Sequence, residues 1–150
     1  IVTISGFSSF HSVLSSDKNL IVAVMTNNDG SVALSLSVRT GGTAFSLANM
    51  QGAWKTNYLM LNQYKWGRAT TTLDVSGNAV ITNTMQSDGI KPEISLIFPS
   101  ITTGGIFGSS SGDWASNFSG VMSLNKNLMI GTVTQDTTGT PSPSLFVWVK

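Results

Sequence analysis

From residue 32 to residue 39 apolar and polar side chains alternate without a break, Val32, Leu34, Leu36 and Val38 against Ala33, Ser35, Ser37 and Arg39. A period of two is the mark of a strand with one buried and one solvated face. The same grain runs through most of the chain, and turn chemistry interrupts it about every eight to twelve residues, as in all-β sandwiches and barrels. Asn27-Asn28-Asp29-Gly30 reads as a tight hairpin whose glycine takes a positive φ. Val75-Ser76-Gly77-Asn78, Ser87-Asp88-Gly89, Thr103-Gly104-Gly105 and Asn125-Lys126-Asn127 supply further turns. No segment sustains a 3.6-residue period, and the one candidate helix is a single turn around residues 44–50.

The pattern predicts strands at 52–60, 65–74, 79–86, 93–102, 105–108, 114–123, 127–135 and 143–150, with others near 1–5, 9–15, 19–27 and 32–39. Short connections make consecutive strands antiparallel neighbours. The expected fold is therefore all-β, an antiparallel up-and-down β-barrel or sandwich of about eight strands per repeat.

A repeat is visible because residues 10–26 align without a gap on residues 118–134, at a constant offset of 108. Phe10, Val13, Ser15, Lys18, Asn19, Leu20 and Thr26 recur as Phe118, Val121, Ser123, Lys126, Asn127, Leu128 and Thr134. After a three-residue insertion the register resumes, with residues 33–39 matching 144–150. The expected organisation is a complete unit over 44–150, preceded by a partial one over 1–39 that corresponds to the second half of such a unit. A chain that opens inside a repeat is expected to be a piece of a longer precursor.

The two copies differ in one strand. Leu145, Val147 and Val149 continue the inner face set by Leu34, Leu36 and Val38, but Phe146 and Trp148 replace Ser35 and Ser37. Met129, Gly131 and Val133 make the neighbouring strand apolar on both faces as well. An outward apolar face needs a cover. Phe146, Trp148, Met129 and Val133 are therefore the candidate assembly interface. Four strands without their other half also leave open edges, which either close the sheet of their own chain into one enlarged β domain or add to a neighbouring chain by strand addition, giving a ring or filament.

Gly52-Ala53-Trp54 on the first strand of the full unit, with Lys150 closing the last, resembles the lipocalin-type (calycin) barrel pattern. The resemblance implies that Trp54 closes one end with a cation stacked on it. Arg39 holds the place of Lys150 in the partial copy. A wider set of motifs comprises Gly52-Ala53-Trp54, Lys65-Trp66-Gly67-Arg68-Ala69-Thr70, Ser76-Gly77-Asn78, Ser87-Asp88-Gly89, the stretch Val121-Met122-Ser123 with Lys126-Asn127-Leu128, and Phe146 to Lys150. Together they resemble an uncharacterised repeat of secreted and surface β proteins from metal-reducing bacteria, departing from it at Lys65, where an aromatic is expected. That resemblance implies fold and secretion and no activity.

Composition narrows the chemistry. Charged residues are 10% of the 150, the net charge is +1, and Ser, Thr and Asn together make a third of the chain. The eight basic residues are scattered, so no electrostatic footprint for nucleic acid is present. There is no cysteine, hence no disulfide, thiolate metal site or thiol nucleophile. No apolar run reaches the length of a membrane-spanning helix.

The one histidine, His11, aligns with Ser119, and the one glutamate, Glu93, follows Pro92. Asp17, Asp29, Asp74, Asp88, Asp113 and Asp136 fall mostly in turns, without an Asp-x-Asp-x-Asp calcium pattern. Gly-x-Ser-x-Gly is absent, and the Gly/Ser-rich run 104–112 lacks the lysine and helix of a phosphate loop. Asn117-Phe118-Ser119 spells a glycosylation sequon inside an expected strand. No catalytic residue, metal or cofactor is assigned.

Trp66-Gly67-Arg68 is the most function-like local feature. Its favoured reading is an end plug with a cation over its ring, and its other reading is a platform for a glycan or an aromatic ligand. Trp54, Trp66 and Arg68 are thus the candidate ligand-binding residues.

Two functions follow. The favoured one is a non-enzymatic extracellular or cell-surface structural protein that self-associates through its N-terminal strands, with copies of itself or other surface proteins as partners. The alternative is a lipocalin-like module for a small apolar ligand or glycan. Leu96, Phe98, Leu128, Ile130, Val147 and Val149 as inner-face filler favour the first.

Overall fold

The computed structural model describes residues 7–40, 44–61, 63–109, 111–112, 118–135 and 141–150. The strand expected near 1–5, the start of the one expected at 114–123, and Asp113, Asn117 and Asp136 lie outside the described residues. The chain divides into two compact units, Ile1–Arg39 and Thr40–Lys150. Among the described residues it is nearly all β, every ladder is antiparallel, and the single helix is one turn. No helix among the described residues is long and apolar enough to cross a membrane.

The first unit is a three-stranded sheet of β1 (Phe7–Leu14), β2 (Leu20–Asn27) and β3 (Val32–Val38), in that order. Register places Phe10, Ser12, Leu14, Ile21, Ala23, Met25, Ala33, Ser35 and Ser37 on one face. His11, Val13, Val22, Val24, Leu34, Leu36 and Val38 occupy the other. The 27–31 loop closes as expected: Gly30 has φ 85°, its N–H donates to Asn27 O, and Asn27 N–H donates to Ser31 O. Such a loop needs a left-handed residue at that place, and glycine takes the conformation without steric cost.

The second unit opens on α1 (Leu47–Met50), followed by β4 (Gly52–Met60), β5 (Lys65–Leu73), β6 (Asn78–Gln86), β7 (Gly89–Ile90) and β8 (Ile94–Ile97). Next come β9 (Ile106–Gly108), β10 (Ser111–Gly112), β11 (Phe118–Met122), β12 (Leu128–Gln135) and β13 (Pro141–Val149). Its sheet runs β10-β8-β6-β5-β4-β13-β12-β11-β9, with β7 paired to β6. First and last strands are thus neighbours, from Lys55 opposite Val149 to Met60 opposite Ser144.

The sheet is not closed into a barrel. Between its ends stands one isolated bridge, Ile101 with Phe107, which keeps the register of the β8–β10 pairs Ile97–Ser111 and Leu96–Gly112. The strand expected over 93–102 stops at Ile97 because the Phe98 N–H leaves the ladder and donates to Gly77 O at 2.9 Å.

The inner face of this sheet carries the core. Trp54, Leu73, Ile81, Leu96, Phe98, Phe107, Phe118, Met122, Met129, Val133, Phe146 and Trp148 are all buried there. Phe98, Phe107, Phe118, Phe146 and Trp148 form a ring-to-ring cluster with centroids 5.3 to 6.5 Å apart. Each such pair adds about 0.5–1.5 kcal/mol to the area it buries.

This corrects the expected faces of the last two strands. Phe146, Trp148, Met129 and Val133 point inward and are buried in the chain's own core, so they are no exposed interface. Val147 and Leu145 are half-buried on the other face, and Val149 is exposed. Of the expected filler, Leu96 and Phe98 are core, whereas Leu128 is half-buried and Ile130 is buried outside the core cluster. Where both faces of a strand are apolar, alternation alone leaves the parity open. The larger aromatic area decides it, since burying a phenyl or indole stabilises by more than burying a valine.

Candidate functional site

The expected ligand residues Trp54, Trp66 and Arg68 do not form one site. Trp54 alternates inward along β4 with Thr56 and Tyr58 and is almost completely buried. It sits beneath α1, where a helix leaves its last carbonyls without intrahelical donors. The Trp54 indole N–H donates to Met50 O at 2.7 Å, and Lys150 Nζ donates to Asn49 O at 3.1 Å. The same ammonium lies 4.7 Å from the Trp54 ring centroid. A cation therefore stacks on this tryptophan, as the Gly-x-Trp pattern implies, and at the same time caps the helical turn. Lys126 Nζ stands 5.6 Å over the Phe45 ring in a similar way. Trp54 seals the core and has no surface to offer a ligand.

Trp66 is no plug, because it lies on the outer face of β5 and is 56% exposed. Its neighbour across the ladder is Leu59, and Arg68 follows two residues later on the same face. Between Arg68 and Thr70 the β5–β6 register slips, and Asn83 adopts φ 52° on the opposite strand. An extra residue in one strand bends it and re-aims its side chains. Asn is among the few side chains that tolerate this left-handed geometry.

Beside the bulge the outer face sinks into a groove of about 480 Å³, lined by Lys55, Thr56, Asn57, Arg68, Ala69, Thr70, Asn83 and Met85. Its signal in the sequence is the pair Lys55 and Arg68 on adjacent strands, which becomes visible only once the strands are in register.

Asp88, Asp74 and Asp29 are occupied locally. Asp88 binds Lys65 at 2.8 Å and Lys91 at 2.9 Å, and these two ammonium groups hold its carboxyl down at about 2. Asp74 accepts from the Ser76 and Asn78 backbone N–H groups and from the Asn78 side chain, which also lowers its pKa. Asp29 is lowered by the Ser31 hydroxyl and N–H. Burial pushes the Tyr58 phenol up. Among the described residues, no three of His, Cys, Asp and Glu gather as metal ligands would. The Thr84 hydroxyl, beside the bulge, is buried without a partner.

In the first unit a second hollow of about 350 Å³ is lined by Phe10, Ser12, Ile21, Ala23, Met25, Ser35 and Ser37. Its counterparts in the second unit are core positions, among them Phe118, Met129, Val133, Phe146 and Trp148. Comparison with protein-family models and with curated proteins finds no match for this chain.

Proposed function

We propose that this chain is a non-enzymatic, extracellular or cell-surface structural β protein that self-associates by strand addition at its N-terminal sheet. One observation carries the reading. The strands at 118–122 and 141–149 are flanked by β9 and β4, whereas among the described residues their counterparts β1 and β3 have no strand on their outer edges. An edge of seven alternating residues, with Val32 70% exposed and Leu34 51% exposed, invites a further strand.

The repeat itself is supported by matching bonds. Ser15 N–H donates to Leu20 O as Ser123 N–H does to Leu128 O, and Lys18 N–H donates to Ser15 O as Lys126 N–H does to Ser123 O. Arg39 N–H donates to Asn19 O as Lys150 N–H does to Asn127 O. The second unit is an open antiparallel sheet whose two ends are joined by the isolated Ile101–Phe107 bridge.

The added strand comes from a second copy. A net charge of +1 sets up little repulsion between copies, and the Val/Leu face of the sheet carries neither carboxylates nor Lys/Arg. A contact in which the donating strand differs from the accepting edge is heterologous and grows into a ring or filament. Extracellular placement rests on the uncharged, Ser/Thr/Asn-rich composition. The reading of a non-enzymatic role rests on Asp17, Asp29, Asp74 and Asp88, which are engaged in their own turns or ion pairs. The alternative, a lipocalin-like cup for an apolar ligand, is disfavoured by the aromatic rings that fill the space such a cup would need.

Light scattering with negative-stain microscopy tests this on residues 1–150 beside a chain lacking 1–39. Assembly of the longer chain alone is the expected result. A monomeric full chain with its N-terminal sheet intact overturns the proposal.

A further inference from the structure

The groove on the outer face of β4, β5 and β6 combines features that a merely solvated face does not need. Lys55 stands opposite Thr70 and Asn57 opposite Arg68, so Lys55 and Arg68 are diagonal neighbours. Such positions are roughly 7 Å apart, within joint reach of one anion. Both side chains are exposed, while Trp54, Thr56 and Ala69 between them point into the core. Among the described residues neither cation is in an ion pair, since both salt bridges belong to Asp88 with Lys65 and Lys91. Among the described residues the Arg68 guanidinium makes one hydrogen-bond contact, with the Met85 sulfur at 3.6 Å. Adjacent like charges weaken a sheet unless something neutralises them.

The other lining groups suit a polyhydroxylated ligand. Asn57 and Asn83 each bring an amide donor and acceptor, and Thr70 brings a hydroxyl. The bulge at Asn83 raises one wall, and the volume of about 480 Å³ falls within the range of small-molecule sites. Trp66 extends the site along β5, about 7 Å from Arg68 at two residues' rise, and 56% of it is open to solvent. An exposed indole offers a flat apolar face to the C–H side of a sugar ring.

We propose that this groove binds an acidic oligosaccharide, with Lys55 and Arg68 on a uronate carboxylate and Trp66 stacked on a neighbouring ring. Arg68 presents its guanidinium as a two-pronged donor, and Asn57, Thr70 and Asn83 take the hydroxyls. Binding weakens as salt rises, because the site is open and its charges are screened. The site does not depend on self-association, so either property can fail without the other.

The test is calorimetric titration of the full chain with tri-galacturonate and with a hyaluronan tetrasaccharide. Methyl-esterified tri-galacturonate keeps the rings without the charge, and citrate keeps the charge without the rings. At least one acidic oligosaccharide is expected to bind, with both controls weaker by about tenfold or more. Lys55→Ala, Arg68→Ala and Trp66→Ala each weaken it by about tenfold, and Arg68→Lys falls between, since it keeps the charge and loses the fork. All three positions are solvent-facing and replaceable without touching the core, and unchanged far-ultraviolet circular dichroism verifies the fold. Failure of both acidic oligosaccharides to bind overturns the proposal. So does equal binding of the ester, equal binding of citrate, or alanine variants that bind like the parent.

Discussion

The sheet β1–β3 and the strands β11–β13 share a turn built from the same hydrogen bonds, and they differ in what lies on one face. In both turns a lysine takes a left-handed conformation, φ 58° at Lys18 and 60° at Lys126. In both, a serine hydroxyl accepts from the N–H of the leucine that starts the next strand, at 3.0 Å for Ser15 and 3.2 Å for Ser123. Beyond the turn the copies part. Phe146 and Trp148 stack at 5.5 Å inside a closed core, whereas Ser35 and Ser37 line a hollow. Among the described residues of the first unit only Ala23 is fully buried. Local hydrogen bonding is thus enough to set a hairpin's geometry, while two side chains decide whether its face carries a core.

The sharpest way to break the comparison is to make β13 resemble β3. Trp148→Ser removes a side chain that is 1% exposed and whose indole N–H donates to the Thr71 hydroxyl at 3.2 Å. The expected loss is about 3–5 kcal/mol, a large share of a typical domain's stability. The urea midpoint followed by circular dichroism reads it directly. Ser37→Ala at the matching position should move stability by less than about 0.5 kcal/mol.

A smaller change tests how closely the strands approach. At Gly131 an added Cβ would run into the Phe118 ring, whereas the counterpart Ala23 already carries one, on the face it shares with Phe10. Gly131→Ala should destabilise by about 1–3 kcal/mol through overpacking. Ala23→Gly should cost only about 0.5–1 kcal/mol, the ordinary entropic cost of a glycine in a strand. Equal effects at the two positions would mean that the two copies pack alike, contrary to the contrast drawn from Ser35 and Ser37.

Much of this was legible in the chain itself. The strand expected at 52–60 coincides with β4, those at 65–74 and 79–86 match β5 and β6 to within a residue, and the single helical turn is present. Turn residues punctuate these segments, and alternation survives where one face is solvated. The missed strands β7 and β10 are two residues each, too short to carry a period, and β10 lies in a Gly/Ser-rich run that reads as a loose connection. Parity failed at Phe146 and Trp148 because both faces of β13 are apolar. The groove at Lys55 and Arg68 was not legible, since its residues meet only through the β4–β5 register and the bulge at Asn83.

The shared turn offers a gentler comparison. Ser123 is buried and its hydroxyl also donates to Asn125 Oδ1 at 2.7 Å, while Ser15 is half-buried and donates to Asp17 Oδ1 at 2.6 Å. Ser123→Ala should cost about 1–2 kcal/mol, because it leaves the Leu128 N–H with a weaker set of acceptors. Ser15→Ala should cost less, since water reaches that turn. Thermal unfolding of the two single variants, each followed by a probe in its own unit, orders them.

The least perturbing experiment changes only pH, and it exploits the one difference in titratable groups between the two turns, Asp17 where the other has Asn125. The Ser15 hydroxyl and the Asn19 side chain and N–H all donate to the Asp17 carboxylate and hold its pKa below the ordinary 3.8. A carboxyl lowered in the folded state favours folding above its unfolded value, and that contribution disappears as pH falls through the folded one. Amide exchange and chemical shifts at Asn19 and Leu20 should therefore report a loosening turn as pH drops below about 3.8. Asn127 and Leu128 should not respond, because an asparagine side chain has no proton to gain. Asp17→Asn should make the first turn as indifferent to acid as the second. A transition that persists in that variant would place the acid sensitivity elsewhere in the sheet, and the two turns would then be alike in their bonds and also in their independence of charge.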